Sequence, residues 1–89
     1  MKVQFECKKI HAERNRNDEL PNGVRECLTC NRYVSKSDHL DDECVDCMTQ
    51  FYYDNAEELV SALAFDYLRY PQVKRAYDRV LALYRNGEA

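Results

Sequence analysis

Four of the five cysteines in this chain form two Cys-x2-Cys pairs, with thirteen residues between the pairs. Zinc binds four tetrahedral thiolate or imidazole ligands, and two intervening residues let the backbone turn so that both sulfurs of a pair face one ion. This spacing predicts one structural Zn²⁺ whose ligands are Cys27, Cys30, Cys44 and Cys47. A site closed by four protein ligands has no open position for catalysis, so the predicted ion serves to stabilise the fold.

Two disulfides or a redox-active dithiol could use the same cysteines. The chain starts with Met1-Lys2-Val3 and has no early apolar run, so we expect no secretory signal and a cytoplasmic protein whose thiols stay reduced. Two disulfides would also leave one of the five cysteines unpaired. A reactive thiolate needs an electropositive setting, whereas acidic residues crowd the second pair. Zinc is therefore the favoured interpretation, with disulfides and redox chemistry as alternatives.

Short elements must position these cysteines, because 89 residues form at most one small domain. Val3, Phe5 and Cys7 alternate with polar residues, which predicts a half-buried N-terminal strand. A turn-forming sequence at 20–24 then separates a polar loop from the cysteine region. The second cysteine pair precedes a helical pattern, so we expect its sulfurs to lie at the start of a helix, where the dipole favours thiolate.

Two apolar stripes with helical spacing follow the second pair. The first consists of Ala56, Leu59, Val60, Leu63, Ala64, Tyr67 and Leu68. The second consists of Val73, Ala76, Tyr77, Val80, Leu81 and Tyr84. Pro71 separates them and suits the first turn of the second helix. We predict a small α+β zinc-binding domain as a single compact unit. Residues 1–53 would form the strand, the loop and a treble-clef-like or zinc-ribbon-like finger with short β-hairpins, and residues 54–89 a two-helix hairpin packed on the finger.

The stretch from Arg25 to Tyr53 resembles the four-cysteine fingers of small stand-alone phage and bacterial proteins, which are treble-clef-like. Its second knuckle, Cys44-Val45-Asp46-Cys47, is also similar to the Cys-Val-x-Cys knuckle of the TraR/DksA finger. In that family the helical coiled coil precedes the finger and the two pairs are farther apart, whereas here the helices follow. The resemblance implies a zinc-stabilised finger and offers transcription control only as an analogy.

The charges are segregated along the chain, although the net charge is only −3. Residues 37–66 contain nine acidic residues and no Lys or Arg. We call the acidic residues beside the second knuckle the acidic belt, and predict that they bind a basic surface on a protein partner: Asp38, Asp41, Asp42, Glu43 and Asp46. The alternative is a nucleic-acid-binding last helix that uses Lys74, Arg75, Arg79 and Arg85. A solvated face without a partner would also explain the belt.

Catalysis lacks its usual residues. The Asp38-His39 pair is similar to the Asp-His of HNH nucleases, but no histidine follows it, and we expect His39 on the surface of the finger loop.

A nucleic-acid binder usually has a net basic face, whereas this chain is net acidic. We therefore predict a non-enzymatic, zinc-stabilised protein-interaction module without a small-molecule substrate or a membrane span. Its size would suit a phage or mobile-element regulator that binds a host protein. Nucleic-acid binding is the alternative.

Overall fold

The computed structural model describes residues 4–87, which form two antiparallel β-hairpins and three helices. The strands are β1 (Val24–Glu26), β2 (Tyr33–Ser35), β3 (His39–Leu40) and β4 (Glu43–Cys44). The helices are α1 (Val45–Asp54), α2 (Glu57–Ala64) and α3 (Pro71–Arg85). Single 3₁₀ turns lie at Lys36–Asp38 and Tyr67–Arg69. The predicted small α+β class is confirmed.

The first hairpin, β1–β2, carries the first cysteine pair in its connecting loop. The loop is closed by a hydrogen bond of 2.9 Å from the Cys27 amide to the Arg32 carbonyl. Asn31 adopts a left-handed φ of 60°, which asparagine tolerates better than most residues, and its amide donates to the Cys27 carbonyl at 2.8 Å. These bonds make the tight turn that aims the sulfurs of the pair inward.

The second hairpin, β3–β4, leads directly into α1. Its two-residue turn places Asp41 at a φ of 55°, and the Asp42 carbonyl accepts a hydrogen bond of 2.9 Å from the Leu28 amide. That bond ties the two hairpin loops together. Cys44 ends β4 and caps α1, because its sulfur accepts from the Cys47 amide at 3.5 Å. The expectation that the second pair opens a helix is confirmed.

The helix α2 is shorter than the first apolar stripe. It ends at Ala64, and Asp66 follows in the left-handed region with a φ of 58°. Leu59 and Ala62 are buried, whereas Val60 and Leu63 are 68% and 56% exposed. Leu63 belongs to the first apolar stripe but does not face the core, because the main core contacts this two-turn helix only on the side of Leu59 and Ala62.

The helix α3 begins at Pro71, as the sequence predicts. Val73, Ala76 and Val80 are buried on its inner face, which confirms the inner part of the second stripe. α3 packs mainly against α1 rather than against α2. Because α2 and α3 both contact α1, they do not form the simple two-helix hairpin that the sequence predicts. The main core consists of Val45, Met48, Tyr52, Leu59, Ala62, Val73, Ala76 and Val80.

The N-terminal segment lies along α1 and forms no strand in its described part, residues 4–23. Val3, the first residue of the predicted strand, lies outside the described residues. Phe5 packs edge-on against Tyr53, with the ring centroids 5.8 Å apart, and its amide donates to Gln50 Oε1 at 2.9 Å. The segment is therefore held by side chains of α1 and by one backbone hydrogen bond of 2.8 Å from the Ile10 amide to the Tyr33 carbonyl of β2.

Candidate metal centre

Four thiols lie close together between the first hairpin, the start of α1 and the N-terminal segment. The sulfurs of Cys7, Cys30, Cys44 and Cys47 all lie within 4.8 Å of one another. All five cysteines are free of disulfides, and the Sγ atoms of Cys7 and Cys47 are 3.3 Å apart. The structure therefore brings together three of the four residues expected from the spacing, and adds Cys7, which the sequence indicated only as a strand residue.

Cys27, the remaining predicted ligand, lies against this cluster. Its Sγ is not one of the four mutually close sulfurs, but it is 3.7 Å from Cys47 Sγ, and the residue is completely buried. The amide of Cys44 donates to it at 3.4 Å. The five cysteines thus form one group of thiols packed around Val34, the buried centre of the small second core.

The geometry of these thiols fits a tetrahedral metal site. With Zn–S bonds of about 2.3 Å, the sulfurs around a zinc ion lie roughly 3.8 Å apart. Within the cluster, the Cys7–Cys47 separation of 3.3 Å and the limit of 4.8 Å for all four sulfurs are compatible with that spacing. Thiolate-rich sites select zinc and iron–sulfur chemistry over magnesium or calcium. The cluster can therefore hold a metal ion.

The acid–base properties of the thiols differ sharply. Burial raises the pKa of Cys27, but hydrogen bonds from the amides of Cys30 and Cys44 outweigh it and bring the pKa to about 7. Burial raises the pKa of Cys44 to about 12, and burial together with neighbouring thiols raises the pKa of Cys47. Because a bound metal needs thiolates, binding must release protons from the raised groups. Metal affinity is therefore expected to increase with pH.

Two members of the acidic belt form ion pairs with arginines of the same chain. Asp46 Oδ1 accepts from Arg79 Nη1 at 2.6 Å, and its Oδ2 accepts from the Lys8 amide at 2.8 Å. Asp38 forms an ion pair with Arg75, whose guanidinium also donates to the Ser37 carbonyl at 3.1 Å. These carboxylates connect the finger to α3 and to the N-terminal segment, so their charge is already compensated.

Replacing Asp46 by Asn is expected to destabilise the protein more than the same change at Asp78. The Asp46 side chain is only 14% exposed and accepts charge-assisted hydrogen bonds from two segments, so its loss should cost roughly 1–3 kcal/mol of unfolding free energy. Asp78 pairs with Lys74 on the exposed side of α3, and such a pair contributes about 0.3–0.5 kcal/mol. Urea unfolding of both variants tests this, and equal losses would contradict the bridging role of Asp46.

The other three belt residues line an open groove of about 550 Å³. Asp41, Asp42 and Glu43 make no hydrogen bond or salt bridge through their side chains to any of residues 4–87. Burial raises the pKa of Glu43. The groove is walled by aliphatic and aromatic side chains, including the following: Leu40, Met48, Phe51, Tyr52, Tyr67 and Tyr70. An acidic edge therefore borders an apolar surface.

The basic residues of α3 are mostly neutralised by the finger or by α3 itself. Arg75 and Arg79 pair with the belt, and Lys74 pairs with Asp78 at 2.8 Å. Among residues 4–87, Arg85 has no salt-bridge partner. The four residues of the nucleic-acid alternative therefore do not form a continuous, uncompensated basic surface.

The Asp38-His39 pair lies between the finger and α3. His39 is buried, contrary to the surface position expected for it, and within the described chain its Nε2 has no hydrogen-bond partner. Its carbonyl accepts from Gln72 Nε2 at 3.1 Å, which places it beneath α3. Asp38 pairs with Arg75, so both residues of the pair contact α3.

Comparison with protein-family models, with curated proteins and with solved structures finds no match for this chain. Across residues 4–87, none of the helices has both the length and the apolar character needed to cross a bilayer. The function is therefore inferred from the cysteine cluster and the groove.

Proposed function

We propose that this chain is a non-enzymatic, zinc-stabilised module that binds a basic peptide segment of another protein. The metal part of the proposal rests on the close approach of four thiols, whose sulfurs all lie within 4.8 Å of one another. The order of a cysteine loop, a β-hairpin and a helix-opening cysteine pair supports a treble-clef-like finger. In this role zinc supplies no chemistry to a substrate, and its ligands hold together the loops that shape the groove.

The groove beside the finger is the observation that carries the binding function. Three carboxylates at its edge have no cation within residues 4–87, and Glu43 is half-buried, which makes an uncompensated charge costly. Phe51 and Tyr67 are each 45% exposed on its walls. A partner with Lys or Arg beside apolar side chains satisfies both features, because the cations meet the carboxylates and the apolar groups cover the aromatic rings.

A protein segment fits this groove better than a nucleic acid. Phosphates would be repelled by Asp41, Asp42 and Glu43, whereas phosphate neutralisation provides most nucleic-acid affinity. The basic side chains of α3 that could attract phosphates are largely paired with carboxylates of this chain. The function supported best is therefore protein binding, and nucleic-acid binding becomes an outcome of the test.

A labelled peptide of alternating Arg and Leu is expected to bind the zinc-loaded protein, and a peptide of alternating Glu and Leu is not. The double variant Asp41→Asn/Asp42→Asn should weaken binding roughly tenfold, because two exposed charge pairs contribute about 0.5–1 kcal/mol each. Asn also tolerates the left-handed backbone at position 41, where φ is 55°. Fluorescence anisotropy at several salt concentrations measures the affinity, which should fall as salt increases.

The matched control is Glu13→Gln/Glu19→Gln, which removes two exposed acidic charges from the polar loop, away from the groove. This control should bind the Arg-Leu peptide within about twofold of the wild type, since long-range screening limits its effect. If both double variants weaken peptide binding equally, the affinity depends only on net charge, and the proposal that the peptide binds in the groove is refuted. A labelled oligonucleotide that binds tightly at physiological salt would instead support the nucleic-acid alternative.

A further inference from the structure

Cys7 lies at the metal centre although it belongs to neither cysteine pair. Its Sγ is 3.3 Å from Cys47 Sγ and within 4.8 Å of the sulfurs of Cys30 and Cys44. It is 37 residues from Cys44 in the sequence, so no local spacing rule associates the two. Only the path of the N-terminal segment brings it to the site.

That path is fixed on both sides of Cys7. The Phe5 amide donates to Gln50 Oε1 at 2.9 Å, and the Lys8 amide donates to Asp46 Oδ2 at 2.8 Å. Asp46 and Gln50 are four residues apart and share one face of α1 beside Cys47. The segment thus lies along α1 in a set register, which directs the Cys7 side chain towards the sulfurs.

Five sulfurs are available for the four positions of a tetrahedral ion. Cys27 remains a strong candidate, because it is buried 3.7 Å from Cys47 Sγ and accepts a hydrogen bond from the Cys44 amide. Amide donors of this kind stabilise a ligating thiolate. Both Cys7 and Cys27 therefore have the position and the support that a ligand needs.

We propose that Cys7 is a metal ligand that competes with Cys27 for the fourth position, while Cys30, Cys44 and Cys47 supply the other three. This inference rests on the proposed zinc binding. Ligation by Cys7 ties the N-terminal segment to the finger, and ligation by Cys27 releases the Cys7 thiol without loss of the metal. Phe5 and Lys8 then determine how often Cys7 occupies the site, because they hold the segment on α1.

Cobalt(II) substitution tests this competition, because the intensity of the thiolate-to-cobalt absorption band follows the number of bound sulfurs. Wild type, Cys7→Ser and Cys27→Ser are each expected to give the four-sulfur spectrum. The double variant Cys7→Ser/Cys27→Ser should lose one sulfur, which is roughly a quarter of the band intensity. Circular dichroism of each cobalt-loaded variant checks that it has folded.

A three-sulfur spectrum for Cys27→Ser beside a four-sulfur wild type would refute ligation by Cys7. A wild type with no four-sulfur spectrum would overturn the proposed zinc binding itself, so the two failures are distinguishable. A measurement on the unaltered chain covers the case in which Cys27→Ser does not fold. In the ¹¹³Cd-loaded protein, a proton–cadmium correlation to the Cys7 β protons supports the proposal. Correlations confined to Cys27, Cys30, Cys44 and Cys47 would overturn it.

Discussion

Replacing Cys47 by Ser is expected to weaken metal binding strongly and to destabilise the finger. Cys47 is the central thiol of the cluster, 3.3 Å from Cys7 Sγ and 3.7 Å from Cys27 Sγ, and it also lies in the first turn of α1. Structural zinc in small fingers binds with an apparent free energy on the order of 10–16 kcal/mol, which exceeds the stability of most small domains. Native mass spectrometry and thermal unfolding followed by circular dichroism measure both losses.

The matched control is Cys7→Ser, the same chemical change at the neighbouring sulfur. It should keep one zinc per chain, because Cys27 can supply the fourth sulfur, and lose much less stability. A chelator should unfold the wild type and shift the melting curve of Cys47→Ser much less. If Cys47→Ser melts like the wild type and the chelator has no effect, zinc does not stabilise this fold.

Leu59→Ala is expected to lower the unfolding free energy by roughly 2–5 kcal/mol, because it leaves a cavity between α2 and the rest of the main core. The Leu59 side chain is 8% exposed and belongs to the cluster that includes Tyr52 and Val80. For a domain of this size the loss corresponds to a melting temperature lower by roughly 8 °C or more. Thermal unfolding in the presence of zinc measures the change while the metal site stays saturated.

Leu63→Ala, one helical turn further along α2, is the matched control. Leu63 is 56% exposed, so its truncation should change stability by less than about 0.5 kcal/mol. The helix propensity of alanine slightly stabilises both variants. The difference between their unfolding free energies therefore reports the effect of side-chain burial. Equal destabilisation by the two variants would show that α2 packs on a different face.

The acidic belt shows how one run of charges can have two roles. Asp38 and Asp46 pair with arginines of α3 and so hold the finger to the helical layer. Asp41 and Asp42, only three or four residues from those positions, lie at the edge of the groove without such a partner. Charge reversal across the whole belt would therefore combine a stability defect with a binding defect. Variants restricted to the groove separate these effects.

Several local features of this protein follow from its sequence alone. The Cys44–Cys47 spacing predicted that the pair opens a helix, and Pro71 predicted the first residue of α3, because both depend on interactions within one helical turn. The buried positions Val73, Ala76 and Val80 followed from helical periodicity for the same reason. The sequence also predicted a cluster of four thiols, because the two sulfurs of each Cys-x2-Cys pair can face one ion.

Which segments meet depends on long-range packing. No spacing rule places Cys7 beside Cys47, because that contact depends on hydrogen bonds from the backbone of the N-terminal segment to side chains of α1. Leu63 is exposed although it belongs to an apolar stripe, because a helix of two turns buries only the face that its neighbours cover. Arg79 and Asp46 neutralise each other across 33 residues of sequence, and neither charge pattern alone indicates that pairing. The sequence shows which side chains can bind a metal or form an ion pair, and the tertiary fold determines which of them come into contact.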